Sequence, residues 1–187
     1  HGGADIFAQA VAALHRLHDQ ACLPLNQSLR GGTQTRGGLF VRHEPVFARL
    51  GEAVRSTLED YRALLPAEDP RHPLLRFRNS DWSFAGSWSV RLAGGGDHHA
   101  SHIHPQGILS SALYLELPDD LEGEDQAGWL EIGRPPANLR LDLPPLRVIK
   151  PQVAHLALFP STLFHGTRPF SGASRMTVAF DVNLDRD

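Results

Sequence analysis

The chain has 187 residues, 41% of them hydrophobic, with 18 basic and 21 acidic side chains and a formal net charge of -3. That composition can fill one packed core and excludes a collagen-like, disordered or membrane-spanning chain, while the lack of any basic stripe excludes nucleic acid and membrane surfaces as expected partners. The one cysteine, Cys22, rules out an intrachain disulfide and points to a reducing, cytoplasmic setting, with the thiol read as a small apolar residue rather than a nucleophile.

Residues 1–3, "HGG", read as the remnant of an affinity tag and stand outside the functional reasoning. From Ala4 to Gln20, Ile6, Phe7, Ala10, Val11, Leu14 and Leu17 recur at spacings of three and four, which predicts a helix with one apolar stripe. A second helix is predicted from Pro45, a residue suited to the first helical position, with Phe47, Leu50, Val54, Leu58, Tyr61 and Leu65 on its buried face. Between them "SLRGGTQTRGG" is too rich in Gly, Ser and Thr to be expected in either kind of element. From about Leu75 the period becomes two: "WSFAGSWSVRL", "SSALYLEL", "GWLEIG", "LRVIK", "HLALFPS", "FHGTRPF" and "RMTVAFDVN" read as short strands. The expected architecture is mainly β with helices (α+β), a double-stranded β-helix or jelly roll clad by the N-terminal helices. It forms one domain over 4–187, helical to about 66 and with a jelly-roll core over about 75–184.

Strand alternation assigns faces. In the last strand Arg175, Thr177, Asp181 and Asn183 oppose Met176, Val178, Phe180 and Val182; Ser110, Tyr114 and Glu116 oppose Leu113, Leu115 and Leu117; Ser87, Ser89 and Arg91 oppose Trp88, Val90 and Leu92. One polar and one apolar face per strand is expected when helices cover the outside and a wet, ligand-sized cavity lies inside. A sandwich whose polar faces meet solvent is the alternative.

The stretch "HHASHIHPQG" carries four histidines. His102 and His104 flank Ile103, so in an extended segment both rings project to one side, about 7 Å apart. His165 is the candidate third ligand. Three ligands on one face of an octahedron are what a non-haem Fe(II) oxygenase needs, leaving positions for a chelating co-substrate and dioxygen. If that co-substrate is 2-oxoglutarate, its far carboxylate needs a fixed cation, for which a bidentate Arg is better suited than Lys; Arg175 could serve, with hydroxyl donors from Thr177 and Tyr114.

The order of "HIH", "LSSALYLELP", "GWLEIG", "LALFPSTLFHGTRPF" and "RMTVAFDV", with "RGGTQT" and "FAGSWSVRL" upstream, resembles the 2-oxoglutarate/Fe(II)-dependent oxygenase domain found behind tetratricopeptide repeats in bacterial proteins. The similarity runs from about Leu29 to the end. It implies metal at His102, His104 and His165, the 2-oxoglutarate carboxylate at Arg175, and dioxygen as oxidant. The reaction it implies hydroxylates a peptide or protein side chain or a small molecule, with release of succinate and carbon dioxide. It also implies tetratricopeptide repeats in the full-length protein. The wider superfamily carries a carboxylate where His104 stands, so zinc competes with iron, since three His and one open position also describe a catalytic zinc site. Asp97, His98 or His99 could replace His104 as ligand. A three-His cupin-type dioxygenase is a further alternative, though no acid follows His104 until Glu116, and a catalytically degenerate peptide-binding module is another. His98 and His99 are expected as solvated loop residues at the mouth of the site, His155 as a structural histidine, His15 and His18 on the helix surface, and Arg91 as a substrate contact.

Overall fold

The computed structural model describes residues 2–20, 28–119, 121, 123 and 125–184; Cys22 lies outside the described residues. Helix α1 spans Gly2–Asp19 and α2 spans Pro45–Leu64, with Pro45 in the first turn as its fixed φ favours. The strands are β1 (Leu29–Arg30), β2 (Thr33–Gln34), β3 (Trp82–Leu92), β4 (His98–His99), β5 (Leu109–Glu116), β6 (Leu130–Ile132), β7 (Arg147–Ile149), β8 (Leu156–Pro160), β9 (His165–Thr167) and β10 (Arg175–Leu184). They form a five-stranded sheet in the order β2-β3-β10-β5-β8, a three-stranded sheet β7-β6-β9 and the pair β1-β4, all antiparallel where paired. This is the double-stranded β-helix with helices on its outer face that the alternation predicts.

The main core lies between the helices and the large sheet. Ala10, Leu14, Phe47, Leu50, Val54 and Leu58 meet Leu113, Leu115, Met176, Val178, Phe180 and Val182, all buried. Burying a Leu or Phe of this kind contributes roughly 1.5–3 kcal/mol, so the helices hold the sheet's outer face dry and leave its inner face free for other work. A smaller cluster of Leu29, Val90, Leu92 and Phe170 packs on the inner side, with Leu92 and Val90 paired to Arg175 and Thr177.

Three expectations are corrected. First, the Gly-rich segment after the first helix does contain strands: β1 pairs with β4 and β2 with β3. Gly31 and Gly32, at φ 76° and 68°, make the turn between them, and a Cβ on Gly32 would stand 2.3 Å from the Arg91 carbonyl oxygen. Only glycine fits there.

Second, β3 presents its apolar face, not its polar one, to the interior. The register pairs Arg175 with Leu92, Thr177 with Val90 and Ala179 with Trp88, so these share the inner face, while Ser87, Ser89 and Arg91 share the helix side with Phe180, Val178 and Met176. Polar groups suit that side because the neighbouring strand, the turn Leu39–Val41 and helix α1 bring partners. Ser89 Oγ donates to the Thr177 carbonyl at 2.9 Å, and Ser87 Oγ accepts the Phe40 N–H at 3.0 Å. Arg91 donates to Asp19 Oδ1 on α1 at 2.8 Å and so is held away from the interior. Glu116 also turns to the helices, meeting His15 Nε2 at 2.8 Å, because the β10–β5 register shifts between Met176 and Thr177.

Third, His18 is 1% exposed rather than a surface residue. Its ring bridges the Thr33 and Ser89 hydroxyls at 2.9 Å each, tying α1 to β2 and β3. Burial, with Arg91 and His15 nearby, lowers its pKa to about 4.

Candidate metal and co-substrate site

The site lies on the inner face of the barrel, where β9 and the extended segment before β5 run together. His102 and His165 form an isolated antiparallel bridge, His102 N–H donating to the His165 carbonyl at 3.0 Å and His165 N–H to that of His102 at 2.9 Å. His104 N–H donates to the Ser161 carbonyl at 3.0 Å. Backbone pairing therefore fixes the spacing of all three rings, whose centroids stand 4.3 to 5.1 Å apart. Their ligand nitrogens lie within 4.8 Å of one another.

Each ring is also oriented. His102 Nδ1 sits 2.8 Å from the Ala100 carbonyl oxygen, His165 Nδ1 3.0 Å from that of Leu163, and His104 Nδ1 2.8 and 2.7 Å from the two oxygens of Asp181. These partners only accept, so each Nδ1 carries a proton and Nε2 is left as the nitrogen that can face a metal. No hydrogen bond among the described residues engages those Nε2 atoms. Burial pushes the pKa of His102 below its ordinary value and that of His165 to about 4, with the other imidazoles adding to the effect. Neutral rings with aligned lone pairs are the form in which imidazole binds a metal.

A small cavity of about 100 Å³ adjoins the triad and is lined also by Thr167, Arg175, Thr177 and Ala179. Arg175 is 3% exposed and donates from one terminal nitrogen to Thr167 Oγ1 at 3.2 Å. Its guanidinium lies 5.2 Å from the centre of the Tyr114 ring. The two groups are close enough to stabilise one another electrostatically, yet Arg175 Nε and Tyr114 Oη are buried without a completed hydrogen bond. Burial draws the arginine pKa down and the tyrosine pKa up, and the guanidinium remains a cation. Leaving two such donors unsatisfied costs roughly 1–3 kcal/mol each, which an anionic ligand in the cavity would recover. A dicarboxylate chelated at the triad, with its distal end on Arg175 and Tyr114, fits this donor set.

Of the residues singled out in the sequence, His102, His104, His165, Arg175 and Thr177 line one cavity, and Tyr114 stands beside it. Asp97 does not approach the triad; its Oδ2 accepts the Ala93 N–H at 2.9 Å. His98 Nδ1 turns to the Gly96 carbonyl at 2.9 Å. His99 departs from the solvated loop residue expected. It pairs with Leu29 in β4, its ring stands 5.9 Å from that of His102, and burial, with His102 and Arg175 near, holds its pKa well below the ordinary value. His155 is exposed, with Nδ1 3.1 Å from the Val153 carbonyl oxygen. Sequence reasoning gave no role to Asp181, Thr167 or Trp88. Thr167 lies two residues beyond His165 and Asp181 six beyond Arg175, so the period of two carried a signal for both; Trp88 was hidden by the inverted face of β3.

Against known proteins, residues 86–181 match the family model described as "Putative 2OG-Fe(II) oxygenase". No curated protein matches the chain. Among solved structures, a Pseudomonas putida prolyl-4-hydroxylase superposes with a TM-score of 0.63 at 15% identity, covering 98% of this chain and 89% of that one. HygX from Streptomyces hygroscopicus, crystallised with nickel and 2-oxoglutarate, gives 0.66 at 14%, covering 97% and 79%. A Trichoplax adhaerens prolyl hydroxylase in complex with a hypoxia-inducible-factor peptide fragment gives 0.59 at 15%, covering 95% and 78%. At these identities the superpositions establish the shared fold. The family match takes in both His102 and His104, His165 and Arg175, and the chain belongs to the 2OG-Fe(II) oxygenase family, whose members are Fe(II)- and 2-oxoglutarate-dependent dioxygenases.

Proposed function

We propose that His102, His104 and His165 hold Fe(II) through their Nε2 atoms, that Arg175 with Tyr114 and Thr177 binds the distal carboxylate of 2-oxoglutarate, and that the protein hydroxylates a peptide side chain or small molecule. The observation that carries this reading is the pair of buried, unsatisfied donors on Arg175 and Tyr114 beside a triad of oriented imidazoles. Bound iron would supply the activation of dioxygen that couples 2-oxoglutarate decarboxylation to insertion of one oxygen atom into a substrate C–H bond. The chain's own part is to hold three neutral nitrogens on one side of the metal, to fix one end of the co-substrate with a buried cation, and to keep the cavity small and shielded.

Substrate would approach through a groove of about 620 Å³ that shares Trp88, His102 and His104 with the cavity and carries Gln34, Gln106 and Asn183. Asp181 also lines the groove, but its carboxylate is engaged by His104 and Ser110, so the amides with their uncharged donors and acceptors suit a polar, neutral substrate. A polypeptide presented by tetratricopeptide repeats of the same protein would be such a substrate, and a reducing cytoplasm would keep the iron as Fe(II). The shared core of helices and sheet supports one oxygenase unit over residues 4–187. Against a cupin-type site, Glu116 faces His15 on α1 and adds no ligand.

The test is turnover. Protein reconstituted with Fe(II) should consume 2-oxoglutarate and oxygen and release succinate slowly even without substrate, and Arg175→Ala should lose this activity while keeping its metal. Hydrolytic activity with zinc and no oxygen requirement would refute the reading.

A further inference from the structure

Three neutral imidazoles contribute no negative charge toward a divalent cation, and the structure treats the three unequally. His102 and His165 donate Nδ1–H to peptide carbonyls, whereas His104 faces both oxygens of a carboxylate, at 2.8 and 2.7 Å. That carboxylate, Asp181, is firmly placed. It sits on β10 between β3 and β5, at the register shift between Asp181 and Val182, and Ser110 Oγ donates to its Oδ1 at 2.7 Å. The pair is sheltered, His104 and Asp181 side chains being 23% and 17% exposed, so the interaction is less screened than a surface ion pair.

Resting on the metal assignment above, we propose that Asp181 is a positioning residue for the metal centre: acting through His104, its carboxylate fixes the ring and supplies the negative charge that none of the three ligands carries. A carboxylate accepting Nδ1–H makes the imidazole a stronger donor at Nε2. His104 with Asp181 behind it thus does electronically what a directly bound carboxylate would do, one residue removed. Ser110 moderates the effect, because its hydroxyl draws on the same carboxylate.

The test compares Asp181→Asn, Ser110→Ala and His165→Ala with the unaltered protein under anaerobic conditions. Fe(II) affinity is measured by competition with a chelator, and the energy of the metal-to-ligand charge-transfer band is read after adding 2-oxoglutarate. Asp181→Asn should keep its apo unfolding temperature, bind Fe(II) about 10- to 100-fold more weakly and move the band to higher energy, because a poorer donor lowers the metal's filled orbitals. Ser110→Ala should move it to lower energy, and this shift decides the matter if the Asn protein does not fold. A role confined to packing would move neither band.

Unchanged affinity and band in Asp181→Asn, or an unmoved band in Ser110→Ala, overturns the proposal. So does complete loss of metal in folded Asp181→Asn protein, equal to that in His165→Ala, since Asp181 would then be a ligand itself. Should His165→Ala bind iron as well as the unaltered protein, the metal assignment fails instead.

Discussion

Arg175 and Tyr114 separate a functional from a structural account, because each is buried with a donor that the fold leaves unused. Arg175→Lys keeps the charge but loses the planar fork, and should weaken 2-oxoglutarate binding by roughly tenfold or more in an anaerobic titration, with Fe(II) affinity little changed. Tyr114→Phe removes a buried hydroxyl that has no partner; the apo protein should unfold at the same temperature or higher, while 2-oxoglutarate binding weakens several-fold, about 1 kcal/mol. A drop in apo stability with unchanged co-substrate binding would make Tyr114 a packing residue. At this scale the sequence was legible where chemistry and period coincide. His102 and His104 alternate around Ile103, and Arg175 and Thr177 share a strand face, so both pairs could be placed from spacing. His99 could not, because the two-residue strand that turns it inward exists only by pairing with Leu29 and Arg30, far away in the chain.

Strand β3 shows why elements are less legible than residues. Its alternation is clear, but alternation does not say which face is inside, and here helix α1 and the turn before α2 make the outer side hospitable to serine and arginine through Asp19, His18 and the Phe40 N–H. Strand β10, flanked on one side by that same helical core, follows the simple rule, with apolar residues under the helices and Arg175, Thr177 and Ala179 lining the cavity. The buried His18 link between α1 and the sheet has a pH consequence. Its folded pKa is near 4 against about 6.5 in the unfolded chain. The unfolded chain therefore binds the extra proton first as pH falls, so the stability His18 contributes is intact above about pH 6.5 and is lost progressively toward pH 4. The loss at pH 4 amounts to roughly 3 kcal/mol. Apo His18→Gln should show a visibly flatter dependence of unfolding free energy on pH between 6.5 and 4, measured by urea denaturation. An identical slope would place the acid sensitivity elsewhere.

For the whole molecule, a hydrophobic layer of helix on sheet carries stability and the opposite face of the same sheet carries chemistry. Leu58, 1% exposed within that layer, tests the division: Leu58→Ala should cost about 2–5 kcal/mol in unfolding free energy yet leave Fe(II) and 2-oxoglutarate affinities within about twofold at a temperature where the protein stays folded. Fold class was legible because a change of hydrophobic period from 3.6 to two is a property of the chain alone. The pairing of His102 with His165, and of Asp181 with His104, depends on closure of the two sheets, which no local pattern encodes. The central claim is that this closure assembles one site for Fe(II) and 2-oxoglutarate together. Anaerobic titration of the Fe(II) protein with 2-oxoglutarate tests it most directly: a visible metal-to-ligand charge-transfer band should grow and saturate at one equivalent, and be absent from His165→Ala. No band in the unaltered protein, with iron bound, would contradict it.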